Sequence, residues 1–436
     1  MQYHIITIGC QMNKADSERV AAFLESRNYT YKKDWLGVDL VILTTCGIRQ
    51  SAEDRVYGLV NQIRKNNPKA AVVITGCLAK REDVMRRLKG RVDLFMPINE
   101  LPNIFALLKD CRQDGTLSSE EVRALSGEKY LTITPRYESD FSAFVPIGNG
   151  CNNFCSYCVV PYARGREVYR PATDIVNEVK ALVKRGCKEI TLIAQNVNSY
   201  KSARTDFPKL LSRLSAIEGQ FWIRFSSSHP KDLSDELIKV ISSSEKICNH
   251  LHVAVQSGDD EILEAMNRKY TAAHFVSLIN KIRKAKPGIA ITTDAIVGFP
   301  GETHKQFLKT AKLFRDLKFD MAYTARYSPR PGTVSWKMKD NVSREDKRTR
   351  EETLTAILAK TGLAANKAYL KKEITVLAEG KNRKGNYYGK TSSFKTVIFQ
   401  APAEMRAEEV VGNFVQVKIK QVHDFGLEGE YVKKRN

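Results

Sequence analysis

The sequence predicts an α/β chain in three parts. These are an N-terminal doubly wound parallel sheet, a central partial (β/α)6 barrel and a small C-terminal OB-like β-barrel. Three observations predict it. Residues 1–100 alternate continuous apolar runs with amphipathic runs, the pattern of parallel strands covered on both faces. Residues 137–368 repeat a β/α unit, with six strand candidates, too few for a full barrel. From Leu370 the helical spacing stops, and five short strands separated by turn glycines take over. The boundaries implied are 1–115, a linker at 116–136, 137–368 and 369–436.

In the first part, His4 to Ile8 reads as a buried strand ending at Gly9-Cys10, followed by a helix through Val20 and Leu24. Val38 to Leu43 is the second strand and runs out at Thr44-Thr45-Cys46. Ala52 to Arg64 reads helical, with Val56, Leu59, Val60 and Ile63 on one face. Ala71 to Thr75 is the third strand, ending at Gly76-Cys77; Val84, Met85 and Leu88 mark a helix, and Val92 to Phe95 a fourth strand. Cys10, Cys46 and Cys77 are thus spaced by about one βαβ unit, roughly 30 residues. Each falls just past the carboxyl end of its own strand, the edge where open α/β sheets place ligands. Three thiolates on one rim suit a metal or an iron–sulfur cluster with one open position; inert strand-end cysteines are the alternative.

In the second part, strands are expected at 142–147, 188–194, 221–226, 250–255, 290–297 and 320–327, with helices near 173–186, 206–217, 234–245, 271–285 and 303–317. Gln195, Ser228, Gln256 and Gly298 fall just after strands, on the face where parallel barrels do their chemistry. In the third part, strands are expected at Ile374–Leu377, Tyr387–Thr391, Lys395–Phe399, Phe414–Ile419 and Leu427–Val432.

Composition excludes disordered, collagen-like and low-complexity chains: 42% of the 436 residues are hydrophobic and 27% charged. No apolar run approaches the roughly 18 residues of a membrane helix. Met1-Gln2-Tyr3-His4 opens no secretory signal, so a cytoplasmic protein is expected. The net charge of +21 favours a polyanionic partner, most simply nucleic acid. Residues 370–436 hold 13 Lys/Arg against 8 acidic residues, interleaved with Tyr387, Tyr388, Phe394, Phe399 and Phe425. Basic residues contact phosphates and aromatics stack on bases, unless the rings fill the barrel core.

Nine cysteines, an odd number in a reducing compartment, do not make a disulfide framework. Cys151, Cys155 and Cys158 lie within eight residues, after a strand and Gly148-Asn149-Gly150. Structural zinc takes four ligands, and His229, His250 and His252 supply no second pair nearby. A three-thiolate loop suits a 4Fe–4S cluster with its fourth iron open. Spacings of three and then two residues are the signature of radical S-adenosylmethionine (SAM) enzymes. Cys111, Cys187 and Cys248 match no ligand motif and read as plain thiols.

Over nearly its whole length the chain resembles the MiaB-type methylthiotransferases, radical SAM enzymes with a C-terminal TRAM domain. The resemblance rests on Gly9-Cys10-Gln11-Met12-Asn13 with Asp16-Ser17-Glu18, Thr45-Cys46 with Ile48-Arg49, Gly76-Cys77, and Gly150 through Cys158 with Val160 to Glu167. It continues through Gln195 to Tyr200, Ser228-His229-Pro230, Gln256-Ser257-Gly258, Met266 to Thr271, Gly298 to Thr303 and Tyr327 to Thr333. The chain departs from the common pattern within Thr44-Thr45-Cys46-Gly47, Cys77-Leu78-Ala79-Lys80, Ile193-Ala194-Gln195 and His252-Val253-Ala254-Val255, which bears on substrate choice and leaves all six cysteines in place.

The resemblance implies two 4Fe–4S clusters and SAM as cofactors. Cys151, Cys155 and Cys158 would hold the first cluster, and Cys10, Cys46 and Cys77 the second, which carries the sulfur to be donated. Tyr157, Gln195, Ser228 and Gln256 would contact SAM. Arg164 and Arg166 are expected to meet RNA or SAM, or else to be solvated. The implied reaction methylthiolates carbon 2 of N6-dimethylallyladenosine at position 37 of the tRNA anticodon loop. The implied partners are tRNA, a one-electron donor such as flavodoxin or ferredoxin, and the iron–sulfur assembly machinery; no membrane is involved and the protein is a monomer. Alternatives are threonylcarbamoyl-adenosine in tRNA, a ribosomal-protein aspartate, or a non-catalytic, metal-containing RNA-binding protein.

Overall fold

The computed structural model describes residues 1–48, 50–112, 129–402 and 404–433. The boundary expected at 115, the first part of the linker, Arg49 and the Cys111 side chain lie outside the described residues. The N-terminal sheet is parallel: β1 (Gln2–Thr7), β2 (Thr30–Tyr31), β3 (Leu40–Thr45), β4 (Ala71–Gly76) and β5 (Leu94–Phe95), in the order β2-β1-β3-β4-β5. Strands β3 and β4 are buried along their whole length because helices cover both faces. Leu40 and Ile42 pack with α1 (Gln11–Glu25), whereas Val41 and Leu43 pack with α2 (Gln50–Asn66). In register, Thr7 faces Thr44 and Thr45 faces Gly76, so the three strands end level. Within the stretch expected as linker, Tyr130 and Ile133 are buried in the α1 core, and the Tyr130 hydroxyl donates to Asp16. The two-residue strand β2 escaped the sequence reading, being too short and exposed to leave a pattern.

The central strands are β6 (Ser142–Pro146), β7 (Glu189–Ile193), β8 (Trp222–Phe225), β9 (His250–His252), β10 (Ala290–Val297) and β11 (Met321–Arg326). They form two parallel three-stranded sheets, β8-β7-β6 and β9-β10-β11. Bridges from Ile223 to Ile247 and from Ser228 to Val253 join them into one curved wall, left open between β6 and β11. Alternate residues such as Ile190, Leu192, Ile223, Leu251, Ala295 and Val297 pack outward in the large core against the surrounding helices. Their neighbours face the lumen. Helix α1 covers the open side near β6, where Met12 and Ala15 pack on Ile193 and Phe144.

The C-terminal strands, β12 (Glu373–Lys381), β13 (Tyr387–Thr391), β14 (Thr396–Gln400), β15 (Phe414–Val422) and β16 (Leu427–Val432), close into a barrel. It docks on the amino ends of the central strands. Arg224 pairs with Glu189 and donates to the carbonyls of Thr391 (2.7 Å) and Ser392 (3.1 Å). Trp222 packs on Phe414, His250 stacks on Phe394, and Lys395 pairs with Asp320 at 2.7 Å. Tyr387 and Phe399 are buried and stacked inside this barrel, which corrects their expected place among the base-stacking rings; alternation turns them inward. Tyr388 and Phe425 remain exposed. The 23-residue helix Arg344–Asn366, unplaced by the sequence reading, buries a narrow stripe that includes Leu354, Leu358 and Gly362. No helix among the described residues is long and apolar enough to cross a membrane.

Candidate functional site

Cys151, Cys155 and Cys158 stand on the loop after β6, at the carboxyl end of the lumen. The loop is fastened from both sides. Cys151 N–H donates to Gly165 O at 3.1 Å, and Ser156 N–H to Met266 O at 3.0 Å. Asn267 Nδ2 donates to Phe154 O at 2.9 Å. Gly150 has φ +83°, and a Cβ there would come within 2.1 Å of Arg166 O, so glycine is required where the loop turns into Cys151. Arg268, buried, donates to Cys155 Sγ at 3.6 Å and to Ala254 O at 2.7 Å. From sequence alone, Asn267 and Arg268 stand out only as motif residues. Their roles depend on a contact across more than a hundred residues of chain. Burial pushes the Cys151 and Cys158 thiols up; a bound cluster reverses that by taking the thiolate.

Cys10, Cys46 and Cys77 meet as their strand ends predict. A Cβ on Gly9 would lie 2.7 Å from Cys46 Cβ, and one on Gly47 would lie 3.3 Å from Cys77 Cβ. The three loops therefore touch. Cys77 N–H donates to Thr45 O at 2.9 Å, and Ile48 N–H donates to Cys46 Sγ at 3.5 Å. Arg330, from the loop after β11, reaches over to Ile48 O (2.9 Å) and Gln50 Oε1 (2.8 Å), near Glu53 (3.6 Å). Cys10 is exposed at the rim; Cys46 and Cys77 are buried. Cys187 and Cys248 are buried away from both sets.

The two sets are tied together: Arg164, six residues past Cys158, reaches Asn13 and Asp16, three and six residues past Cys10. Between them lies a buried polar knot. Arg164 donates to Asp16 Oδ2 (2.6 Å), Asn13 Oδ1 (2.9 Å) and Asn149 Oδ1 (3.0 Å), and Asn13 Nδ2 donates to Ile8 O (2.7 Å). Arg164 thus meets neither solvent nor an open ligand space, contrary to its expected contact with RNA or SAM; helix α1 and Asn149 occupy its donors. Arg166 is exposed and lies over the Phe154 ring at 4.7 Å. Among the described residues, no three His, Cys, Asp or Glu side chains converge on one ion.

Gln195, Ser228 and Gln256 sit at the carboxyl ends of β7, β8 and β9. Gln195 Oε1, Ser228 Oγ and Gln256 Oε1 are all buried and without a hydrogen-bond partner. A buried unpaired polar atom costs about 1–3 kcal/mol, so three on one rim fit a polar cofactor such as SAM. Ser227 (φ +67°) and Gln256 (φ +66°) hold left-handed backbone there, strain of the kind stored at functional sites. Tyr157 packs against Ile262, Met266, Phe299 and Tyr327 beside the cysteine loop. Burial, helped by Arg268 and Lys231 nearby, lowers the His229 pKa to about 2 and keeps the ring neutral.

Three family descriptions match the chain: an uncharacterized protein family, UPF0004, over residues 2–97, the Radical SAM superfamily over 145–314, and the TRAM domain over 367–432. The radical SAM methyltransferase TsrM of Kitasatospora setae has a similar fold, with a TM-score of 0.58 at 14% identity over 77% of this chain and 74% of that one. The tRNA-2-methylthio-N(6)-dimethylallyladenosine synthase of Thermoanaerobacter pseudethanolicus is 40% identical over 99% of this chain and 93% of its own length. Its counterpart from Clostridium novyi is 38% identical over 99% and 96%. Full-length similarity of this kind agrees with the paired cysteine rims and the docked C-terminal barrel, and the chain belongs to the MiaB-type family of radical SAM methylthiotransferases.

Proposed function

We propose that the chain adds a methylthio group to carbon 2 of N6-dimethylallyladenosine at position 37 of the tRNA anticodon loop. The observation that carries this reading is the tie between the two cysteine loops, where Arg164, just past Cys158, donates to Asn13 and Asp16, just past Cys10, at the carboxyl ends of both sheets. The relatives' shared name supports the choice of substrate. Cys151, Cys155 and Cys158 hold one 4Fe–4S cluster, and Cys10, Cys46 and Cys77 the other. When bound, the clusters and SAM supply the one-electron chemistry and the sulfur that no side chain supplies.

The chain's own residues bind, orient and exclude water. Gln195 Oε1 and Gln256 Oε1 accept hydrogen bonds from SAM, and Ser228 Oγ donates or accepts. Tyr157 covers the adenine side of the pocket. Arg268 fixes the Cys155 sulfur, and the Arg164 knot fixes the distance between the two rims. The C-terminal barrel presents exposed Tyr388 and Phe425 with its basic residues to RNA. A splayed loop base reaches the lumen without melting a helix. The protein works as a cytoplasmic monomer, served by a flavodoxin- or ferredoxin-like donor and by the iron–sulfur assembly machinery.

The test is an anaerobic purification with iron counted per chain, for wild type and for the triple Cys10, Cys46, Cys77→Ala variant. About eight irons falling to about four supports two independent three-cysteine clusters. RNA mass spectrometry then reads the methylthio product on dimethylallylated tRNA. Four irons in both proteins, or zinc without iron, sinks the proposal.

A further inference from the structure

The inner wall of the central barrel carries a group of side chains with no assigned role. Leu251, Val253, Ile291, Ala295 and Val297 point outward into the helix-covered core. Strand alternation therefore turns His252, Thr292 and Asp294 into the lumen. Tyr323 lies opposite Asp294 in register and faces the same way. His252 Nε2 lies 3.2 Å from Asp294 Oδ2, and its Nδ1 lies 3.0 Å from Thr292 Oγ1. The His252 and Tyr323 ring centroids are 6.4 Å apart.

Two features set this wall apart. The Asp294 side chain stays 38% exposed inside a barrel, and Tyr323 stays 45% exposed. Other inner-wall residues are covered or tightly paired: Phe144 and Ile193 lie under Met12 and Ala15, and Glu189 is held by Arg224. The position is also specific. Asp294 O accepts from the Gln256 backbone N–H at 2.8 Å, next to the orphaned Gln256 Oε1. Ser226, also on the inner wall, donates to Gln11 Oε1 at 3.2 Å, and Gln11 follows Cys10 directly. A group lodged against Asp294 lies next to Gln256, on the strand wall whose carboxyl ends carry the orphaned polar atoms. β11, which carries Tyr323, borders the open side of the wall.

We propose that His252, Asp294 and Tyr323 form the subsite that reads the target base, with the Asp294 carboxylate accepting the exocyclic N–H of an N6-substituted adenine and Tyr323 stacking on its ring. The inference rests on the proposed function and names the residues that choose its substrate. An ionised carboxylate only accepts, and an N6-alkylated adenine offers one N–H at that edge. Ile296 and Ala325, two residues further along the same faces, are uncharged and suit an alkyl substituent. A substituent that itself carries a carboxylate meets like charge at Asp294. Arg224, one layer below, is engaged by Glu189 and two carbonyls of the C-terminal barrel.

The test uses the two-cluster holoenzyme with three anticodon stem-loop RNAs, carrying dimethylallyl-adenosine, threonylcarbamoyl-adenosine or plain adenosine. Asp294→Ala should lower kcat/KM on the dimethylallyl RNA by about 10- to 100-fold, the scale of a hydrogen bond to a charged group. Iron content and the change in the cluster's electron paramagnetic resonance signal on adding SAM should keep wild-type values. Asp294→Asn, which keeps an acceptor and removes the charge, should retain more activity and narrow the gap between the dimethylallyl and threonylcarbamoyl RNAs. Tyr323→Leu should raise KM more than it lowers kcat. Wild-type kcat/KM in Asp294→Ala overturns the proposal, and so does a loss of iron in Asp294→Asn that tracks the loss of product. A fully loaded wild type that leaves the dimethylallyl RNA unmodified instead overturns the proposed function itself.

Discussion

Arg164→Met is the most informative perturbation of the frame that holds the two cysteine rims together. The Arg164 side chain is 2% exposed and that of Asp16 1%. The variant strips Asp16 of its 2.6 Å partner and leaves Asn13 and Asn149 short of a donor. Only the Tyr130 hydroxyl among these groups still donates to the Asp16 carboxylate. Breaking a buried pair by removing one partner costs about 3–5 kcal/mol, mostly the penalty of the stranded charge. Arg164→Met should therefore cost roughly 4 kcal/mol. Adding Asp16→Asn removes that charge and should recover about 2 kcal/mol, so the two substitutions couple strongly. Urea unfolding followed by tryptophan fluorescence, run on wild type, both single variants and the double variant, gives the full cycle. A cost below about 1 kcal/mol for Arg164→Met, or strict additivity with Asp16→Asn, would refute the reasoning.

Arg268→Met removes a charge-assisted donor from Cys155 Sγ, and the potential of the cluster held there should become more negative by about 40 mV, equivalent to roughly 1 kcal/mol for one electron; redox titration reads it, and an unchanged potential denies the contact any role. Gly9→Ala forces a Cβ to 2.7 Å from Cys46 Cβ at φ +133°, so iron per chain should fall by about half while the radical SAM cluster persists; full iron would show that the loops can separate. Glu18 is buried, and desolvation raises its pKa from 4.5 to about 7. Its folded-state pKa lies above the unfolded one, so its contribution is fully present below pH 4.5 and is lost as pH rises through about 7. Glu18→Gln should accordingly gain up to roughly 3 kcal/mol on wild type near pH 8 and nothing near pH 4. Melting scans across that range check the sign, and a gain at low pH contradicts it.

Much of the architecture was legible because it rests on local periodicity. The strands through Leu43 and Ile74 are continuous apolar runs, so their burial on both faces and their carboxyl-end cysteines could be read in advance. The Cys151, Cys155, Cys158 loop was legible for the same reason: its ligands are close in sequence. Helix Arg344–Asn366 was not, because its buried stripe is narrow among charged residues. Nor was the fate of the aromatic residues in the C-terminal barrel. Tyr387 and Tyr388 are adjacent and chemically alike, and only strand alternation within a closed barrel sends one inward and leaves the other exposed.

By itself, then, the sequence determined the three-part α/β organisation, the six cysteines in two sets and the family to which the chain belongs, since these depend on short-range pattern and residue identity. Only the tertiary structure decided that Arg164 is an interdomain pin rather than a surface cation, that Arg268 reaches Cys155, and that Asp294 stays open to the lumen. These assignments depend on which donors, acceptors and charges the fold brings within about 3–4 Å across long stretches of chain, and hydrogen bonding and desolvation act at that distance.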